Sequence, residues 1–273
     1  MLSAGQVGLL SGWGVFTTLR IVEGVPFAFE RHWARLTRDA AALRVPMPAG
    51  SESVRRKLLE LIERNHAHRS TLRLVIVRNG GGLWEGPNAS RRASDLIALT
   101  ADSKEWGPGV KLAYVNNARH AANEFAGAKI LSWAMNLTWA ESAQSRGFDE
   151  VILLNERGEV AECTSANIFV ANGGQVATPP LSAGCLPGIT REVLLEAIRV
   201  PGIEIREKTI FPAELESADE VFITSTTRNL LPVIRVEQKA VGRSTNVLTA
   251  LGKAFDEFVS RYVAEHKPVP AAR

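Results

Sequence analysis

A chain of 273 residues is longer than a single hydrophobic core usually supports, so one large or two medium domains are expected. Apolar residues make up 45% and charged residues 22%, a globular balance that excludes a disordered chain. The 32 basic and 29 acidic residues leave a formal net charge of +3 spread along the chain; the pairs Arg55-Arg56 and Arg91-Arg92 read as solvated surface, which argues against a nucleic-acid partner.

The two cysteines, Cys163 and Cys185, form neither a CxxC pair nor a disulfide framework, which favours a reducing compartment. Residues 1–14 lack the basic start and apolar run of a secretory signal. No stretch approaches the roughly 18 apolar residues of a spanning helix, so a cytoplasmic protein without a membrane partner is expected. Of the five histidines only His66 and His68 are close, at the polar end of a predicted helix, and no metal site is expected.

In chain order, residues 15–21 and 26–29 read as a hairpin turning at Gly24. Helical spacing of Trp33, Leu36, Ala40 and Leu43 predicts a helix over 31–43, ended by Pro46 and Pro48, and a second helix follows over 52–64. Strands are expected at 72–77, 95–100 and 110–114, with a Gly-rich surface loop over 79–92. Residues 116–127 are polar, lack a period and read as a connection, and a helix is expected over 130–146. Strands at 150–154, from 160, and at 167–170 then precede a Pro-rich break at 178–187 and a helix over 190–199. Further strands at 203–206, 220–224 and 233–236 lead to a last helix over 247–263. The pattern is α+β, with no βαβ rhythm and no G-x-G-x-x-G fingerprint, which disfavours a Rossmann dehydrogenase.

Two segments suit an anion. Leu186-Pro187-Gly188-Ile189-Thr190-Arg191 runs from a Gly-containing turn into a helix, where free N–H groups and the helix dipole attract negative charge; it also suits an ordinary helix start capped by Thr190. Thr224-Ser225-Thr226-Thr227 places hydroxyls and turn amides after an apolar strand, a cradle for an anion or simply a polar loop. Eight of the basic residues are lysines, and Lys129 alone sits among small and apolar neighbours, Phe125 to Leu131. Such an amine is expected to have a depressed pKa and to act as nucleophile or base, unless it snorkels from a helix start. Glu162, at a strand end, is either a surface charge or the partner of a buried pyridine nitrogen.

Taken in order, Gly12-Trp13-Gly14-Val15-Phe16-Thr17-Thr18-Leu19-Arg20, His32-Trp33-Ala34-Arg35-Leu36, Lys129, Glu162-Cys163-Thr164-Ser165-Ala166-Asn167-Ile168-Phe169, the 186–191 segment and Thr224-Ser225-Thr226-Thr227 resemble the fold-type IV pyridoxal-phosphate enzymes. That family includes branched-chain aminotransferases, D-amino-acid aminotransferases and aminodeoxychorismate lyases. The resemblance implies a two-domain α+β fold with pyridoxal 5'-phosphate at the domain interface. It implies a small N-terminal domain over 1–115, a connection over 116–128 and a larger strand-rich cofactor domain over 129–273. By family analogy it implies a homodimer acting on amino-acid and keto-acid substrates.

Carried over by position, Lys129 is implied to hold the cofactor covalently and to move the substrate's Cα proton. Arg35, the backbone at Ile189 and Thr190, and Ser225 and Thr226 are implied to bind the phosphate. Glu162 is implied to keep the pyridine nitrogen protonated, and Phe16, Thr18, Arg78 and Trp133 to line the substrate pocket. Three positions depart from the family: Ser132-Trp133 follows the lysine where Asn and then Tyr, Arg or Leu are common, and Trp13 replaces a common Asp. Leu83-Trp84-Glu85 occupies the region where D-amino-acid aminotransferases carry Arg-x-His, which argues against that subfamily. Transamination is the leading expectation. The Phe16-Thr17-Thr18 triplet is similar to the lyases and keeps aminodeoxychorismate lyase as an alternative, and the altered positions motivate a third, a cofactor-binding member without turnover.

Overall fold

The computed structural model describes residues 7–81 and 92–267. Two compact units emerge among them. The first holds the chain up to Lys104, the segment Ala128–Trp133 and the residues from Val259 on; the second holds Glu105–Gly127 and Ala134–Phe258. The strand-sided boundary thus falls at 104/105 rather than near 115, and Lys129 belongs with the N-terminal elements.

The first unit comprises α1 (Val7–Leu10), β1 (Gly14–Val22), β2 (Val25–Pro26), α2 (Phe29–Ala42), α3 (Ser51–Arg64), β3 (Arg69–Arg78) and β4 (Ser94–Asp102). Its strands form an antiparallel sheet in the order β2-β1-β3-β4. Side chains alternate across a strand, so Val15, Leu19 and Ile21 of β1 share one face. There they bury against Leu36 and Ala40 of α2, Val54, Leu58 and Ile62 of α3, and Leu72, Leu74 and Ile76 of β3. Each such aliphatic side chain contributes about 1.5–3 kcal/mol of transfer free energy. Phe16 points to the other face and packs with Val75, Val77, Leu131 and Trp133. The expected second hairpin strand at 26–29 is shorter than predicted, because Ala28 turns into the left-handed region (φ 52°) and α2 starts at Phe29.

The second unit contains β5 (Val110–Arg119), α4 (Ala134–Ser145), β6 (Glu150–Asn155), β7 (Val160–Cys163), β8 (Asn167–Asn172), β9 (Gln175–Thr178), α5 (Ile189–Glu196), β10 (Glu204–Glu207), α6 (Pro212–Ser217), β11 (Glu220–Ser225), β12 (Asn229–Val236) and β13 (Lys239–Ala240). The last helix, α7 (Asn246–His266), begins in this unit. The sheet runs β10-β9-β8-β11-β12-β5-β6-β7, with β13 on β12. β6, β7, β8 and β11 read as nearly continuous apolar runs, and Ile152, Val160, Ile168 and Ile223 fill the core. Buried Glu220 accepts the N–H groups of Val247 and Leu248 at 2.9 and 2.8 Å, placing a carboxylate at the positive end of α7.

Two expectations need correction here. Residues 116–119 are not connection but the end of β5, continued by pairing with β6. The helix expected from 130 begins only at Ala134, because Ile130 forms a β-bridge with Val15 instead. β9 and α6 were not foreseen; β9 is four residues long and α6 six, too short for a period to show.

Candidate active site

Lys129 lies on an extended ledge beside β1, not at a helix start. Its carbonyl accepts the Phe16 N–H at 3.0 Å, and the Leu131 N–H reaches the Gly14 carbonyl at 3.0 Å. Gly14 makes this approach possible, since a Cβ there would stand 2.5 Å from both the Ile76 carbonyl oxygen and Leu131 Cδ1. On the other side the Lys129 N–H donates to Oδ2 of the buried Asp39 at 3.0 Å. The backbone of the lysine is therefore fixed from two directions. Its Nζ lies 4.6 Å from the Phe16 ring centroid and 5.7 Å from that of Trp133, and the two rings meet edge to face at 5.8 Å. The Arg73 guanidinium covers the same Phe16 ring at 4.1 Å. Partial burial lowers its pKa, though an arginine this far above neutrality keeps its charge.

Behind β1, on the helix-facing side, Thr17 fills a core position with a hydroxyl. Arg35 Nη2 donates to Thr17 Oγ1 at 3.0 Å, and the same hydroxyl lies in hydrogen-bond contact with His32 Nδ1 at 2.7 Å. All three side chains are buried. His32 shares this hydrogen bond through Nδ1, whichever of the two atoms carries the proton, and its buried ring is held neutral. Burial foremost, and then the charges of Arg35 and Lys129, push its pKa well below the ordinary 6.5. Near neutral pH His32 is uncharged in both folded and unfolded chains. As the pH falls below about 6.5 the unfolded chain takes up a proton that the native state refuses, so stability drops on acidification. Urea unfolding between about pH 5 and 7 checks this: His32→Asn should flatten the acid limb, and an unaltered slope would refute it.

In the second unit, Glu162 is 8% exposed. Arg119 Nε donates to its Oε1 at 3.0 Å and the Leu186 N–H to its Oε2 at 3.0 Å. Each oxygen keeps a lone pair for a further donor. Asn136 stands beyond Arg119, its Oδ1 3.4 Å from Nη1 and Nη2, while its amide donates to the Thr164 carbonyl at 2.9 Å.

Ile189 and Thr190 open α5 and are buried. Helix geometry leaves their N–H groups without intrahelical partners. Gly188 precedes them in extended conformation, and a Cβ on it would fall 2.0 Å from Asn167 Oδ1. Thr224 pairs directly with Asn167 across β8 and β11, so both side chains share that sheet face. The Thr224 hydroxyl is buried without a hydrogen-bond partner among the described residues. Ser225 and Thr226 follow in a turn that Ser225 Oγ braces by accepting the Arg228 N–H at 3.2 Å.

Of the residues predicted from sequence, Lys129, Phe16 and Trp133 form one cluster. Thr18 lies opposite Arg73 in the β1–β3 register, on the Phe16 face. Arg78 stands apart: its guanidinium covers Trp13 at 4.3 Å and donates from Nε to the Gly80 carbonyl at 2.7 Å. Leu83-Trp84-Glu85 lies outside the described residues. Sequence reasoning missed Arg73, Asp39, Arg119 and Asn136, and found Thr17 and His32 only as motif letters. Arg119 was hidden in a segment read as connection, and Asp39 in the exposed-looking stretch Arg38-Asp39. Neither thiol is a nucleophile: burial foremost pushes Cys163 well above its usual range and Cys185 up to about 12. Among the described residues no group of three or more His, Cys, Asp and Glu could hold a metal ion, and no helix is long and apolar enough to cross a membrane.

The amino-transferase class IV family profile matches residues 14–236. A protein of Methanocaldococcus jannaschii, provisionally named branched-chain-amino-acid aminotransferase, is 31% identical over 236 residues, covering 86% of this chain and 82% of its own. D-alanine aminotransferase of Bacillus licheniformis is 30% identical over 258 residues, 89% of this chain and 88% of its own. The fold is also that of a Legionella pneumophila protein provisionally named 4-amino-4-deoxychorismate lyase, with a TM-score of 0.86 at 22% identity over 94% of this chain and 95% of the other. The two-sheet α+β architecture and the match across most of the sequence lead to one conclusion: the chain belongs to the class IV aminotransferases, a family of pyridoxal 5'-phosphate enzymes.

Proposed function

We propose that the protein transfers the amino group of an amino acid to a 2-keto acid, with Lys129 as the residue that carries the cofactor and moves the proton. The observation that carries this reading is the half-buried Lys129 amine held over Phe16 on a backbone fixed by Asp39 and β1. The residues of each unit suit the parts of pyridoxal phosphate. In the second unit Ser225, Thr226 and the N–H groups of Ile189 and Thr190 suit a phosphate, and the neighbouring Thr224 hydroxyl is buried with no hydrogen-bond partner among the described residues; in the first unit the Arg35 guanidinium suits the same group by its charge. Glu162 has lone pairs for a protonated ring nitrogen. When bound, the cofactor supplies an electron sink for the charge left at Cα.

The chain's own residues do the rest. Lys129 Nζ takes the proton from the substrate Cα, and the Phe16 and Trp133 rings restrict where that amine can point. Arg73, over the same ring, is assigned to a substrate carboxylate, for which a guanidinium offers a two-pronged match. Arg73→Met should raise KM for the keto acid about 10-fold or more while changing kcat little, as steady-state kinetics would show.

Relatives named for branched-chain substrates favour an aliphatic amino donor. The direct test incubates the purified protein with a panel of amino acids and a 2-keto acid and measures keto-acid exchange. Release of pyruvate and 4-aminobenzoate from aminodeoxychorismate without exchange would replace this reading by the lyase. Cofactor retained on Lys129 with neither reaction would leave a binding protein without turnover. The working form is proposed to be a cytoplasmic homodimer, which sedimentation of the purified protein and fractionation of cells would check.

A further inference from the structure

Glu150 opens β6 and is only 2% exposed, yet no step proposed above uses it. Four donors converge on its carboxylate. Val151 gives its N–H at 3.0 Å, Ser165 its hydroxyl at 2.5 Å, Thr164 its hydroxyl, and Arg228 its Nη2 at 3.0 Å. Arg228, with 7% of its side chain exposed, also donates from Nη1 to the Ser165 hydroxyl at 2.9 Å and carbonyl at 3.2 Å. The face of its guanidinium lies 4.1 Å over the Trp106 ring, and Trp106 Nε1 returns a hydrogen bond to the Thr227 carbonyl at 2.9 Å.

These contacts join two turns at the ends of strands of one sheet. One is the turn between β7 and β8, starting two residues after Glu162; the other is the 225–228 turn that carries Ser225 and Thr226. A buried ion pair is seldom a net source of stability, because desolvation offsets its attraction. What a planar guanidinium with several fixed donors does supply is geometry. We propose that the Glu150–Arg228 pair is a positioning device that sets the 225–228 turn against the turn following Glu162, and thereby controls affinity for the cofactor's phosphate. The inference rests on the phosphate-binding role given above to Ser225 and Thr226.

The test titrates pyridoxal phosphate and pyridoxal, which lacks the phosphate, into the cofactor-free full chain and its variants, following absorbance or tryptophan quenching. Wild type should prefer pyridoxal phosphate strongly. Arg228→Met and Glu150→Gln should each weaken pyridoxal phosphate about 10-fold or more and pyridoxal less than about 3-fold, and the double variant should lose little beyond either single one. Arg228→Lys keeps the charge without the fork and should fall between; it decides the matter if Arg228→Met fails to fold. Equal weakening of both aldehydes, or no change in either, overturns the positioning role. A wild type with no preference for the phosphorylated form overturns the phosphate assignment as well, whereas an intact preference with unmoved variants overturns this inference alone.

Discussion

Replacing Lys129 by alanine is expected to lower turnover by at least about 10⁴-fold, the upper range of what a positioned proton-transfer group contributes, since the variant also loses its covalent hold on the cofactor. Lys129→Arg should fare no better, because a guanidinium does not give up its proton near neutral pH. The fold should survive both changes. The contacts that fix this ledge are made by main-chain atoms, with Asp39 Oδ2 accepting the N–H and the Phe16 N–H reaching the carbonyl. Thermal unfolding of the cofactor-free variants should therefore match that of the cofactor-free wild type closely. Borohydride treatment followed by peptide mass mapping gives a readout independent of turnover: the label should sit on residue 129 in the wild type and vanish in the variants. Activity within about 100-fold of wild type in Lys129→Ala, or a label on another lysine, would overturn the assignment.

The second large effect is expected at Glu162. Glu162→Gln keeps an oxygen to accept the Leu186 N–H but removes the charge that faces Arg119 at 3.0 Å. A neutral amide cannot hold a proton on a pyridine nitrogen as a carboxylate does, so kcat should fall about 10²-fold, comparable to losing one preorganised electrostatic contact in an active site, while donor KM moves little. Arg119, with 19% of its side chain exposed, is left without its counter-charge, so a stability loss of about 1–3 kcal/mol is expected. Arg119→Gln should restore part of that stability in the double variant without restoring kcat. Such a split would separate the structural from the chemical contribution of the carboxylate; a kcat unchanged in Glu162→Gln would remove it from the reaction.

Much of the fold is legible in the amino-acid sequence because local pattern and tertiary packing agree. The β1 alternation of Val15, Leu19 and Ile21 and the helical spacing of α2 and α3 are set by one shared core, so period and burial point the same way. Lys129 stood out because its neighbours are small and apolar, and the anion-suited character of 186–191 was visible as a glycine before a helix. The helix predicted from 130 starts later for a tertiary reason: the Gly14 carbonyl and the Phe16 N–H offer this stretch strand-like partners from far away in the chain. Arg119 was misplaced for a similar reason, since its strand is held by long-range pairing with β6 rather than by its own polar sequence. Thr17 and Thr18 show the limit most sharply. The alternation of Val15, Leu19 and Ile21 puts Thr17 on the helix-facing side and Thr18 on the Phe16 side, but which helix side chains meet the Thr17 hydroxyl comes from the packing of α2 alone.

The first unit is assembled from three stretches of chain, the last of which begins at Val259. On the ribosome, its four strands emerge before the Lys129 ledge, and the ledge long before the C-terminal turns of α7 that bring Tyr262 against the Phe29 N–H at 3.2 Å. A nascent chain halted near residue 104 would carry the sheet without Lys129, and one halted near 240 would still lack that tyrosine. The first unit is thus complete only once the last turns of α7 are made, and dividing the chain after Lys104 would part its sheet from the other two stretches.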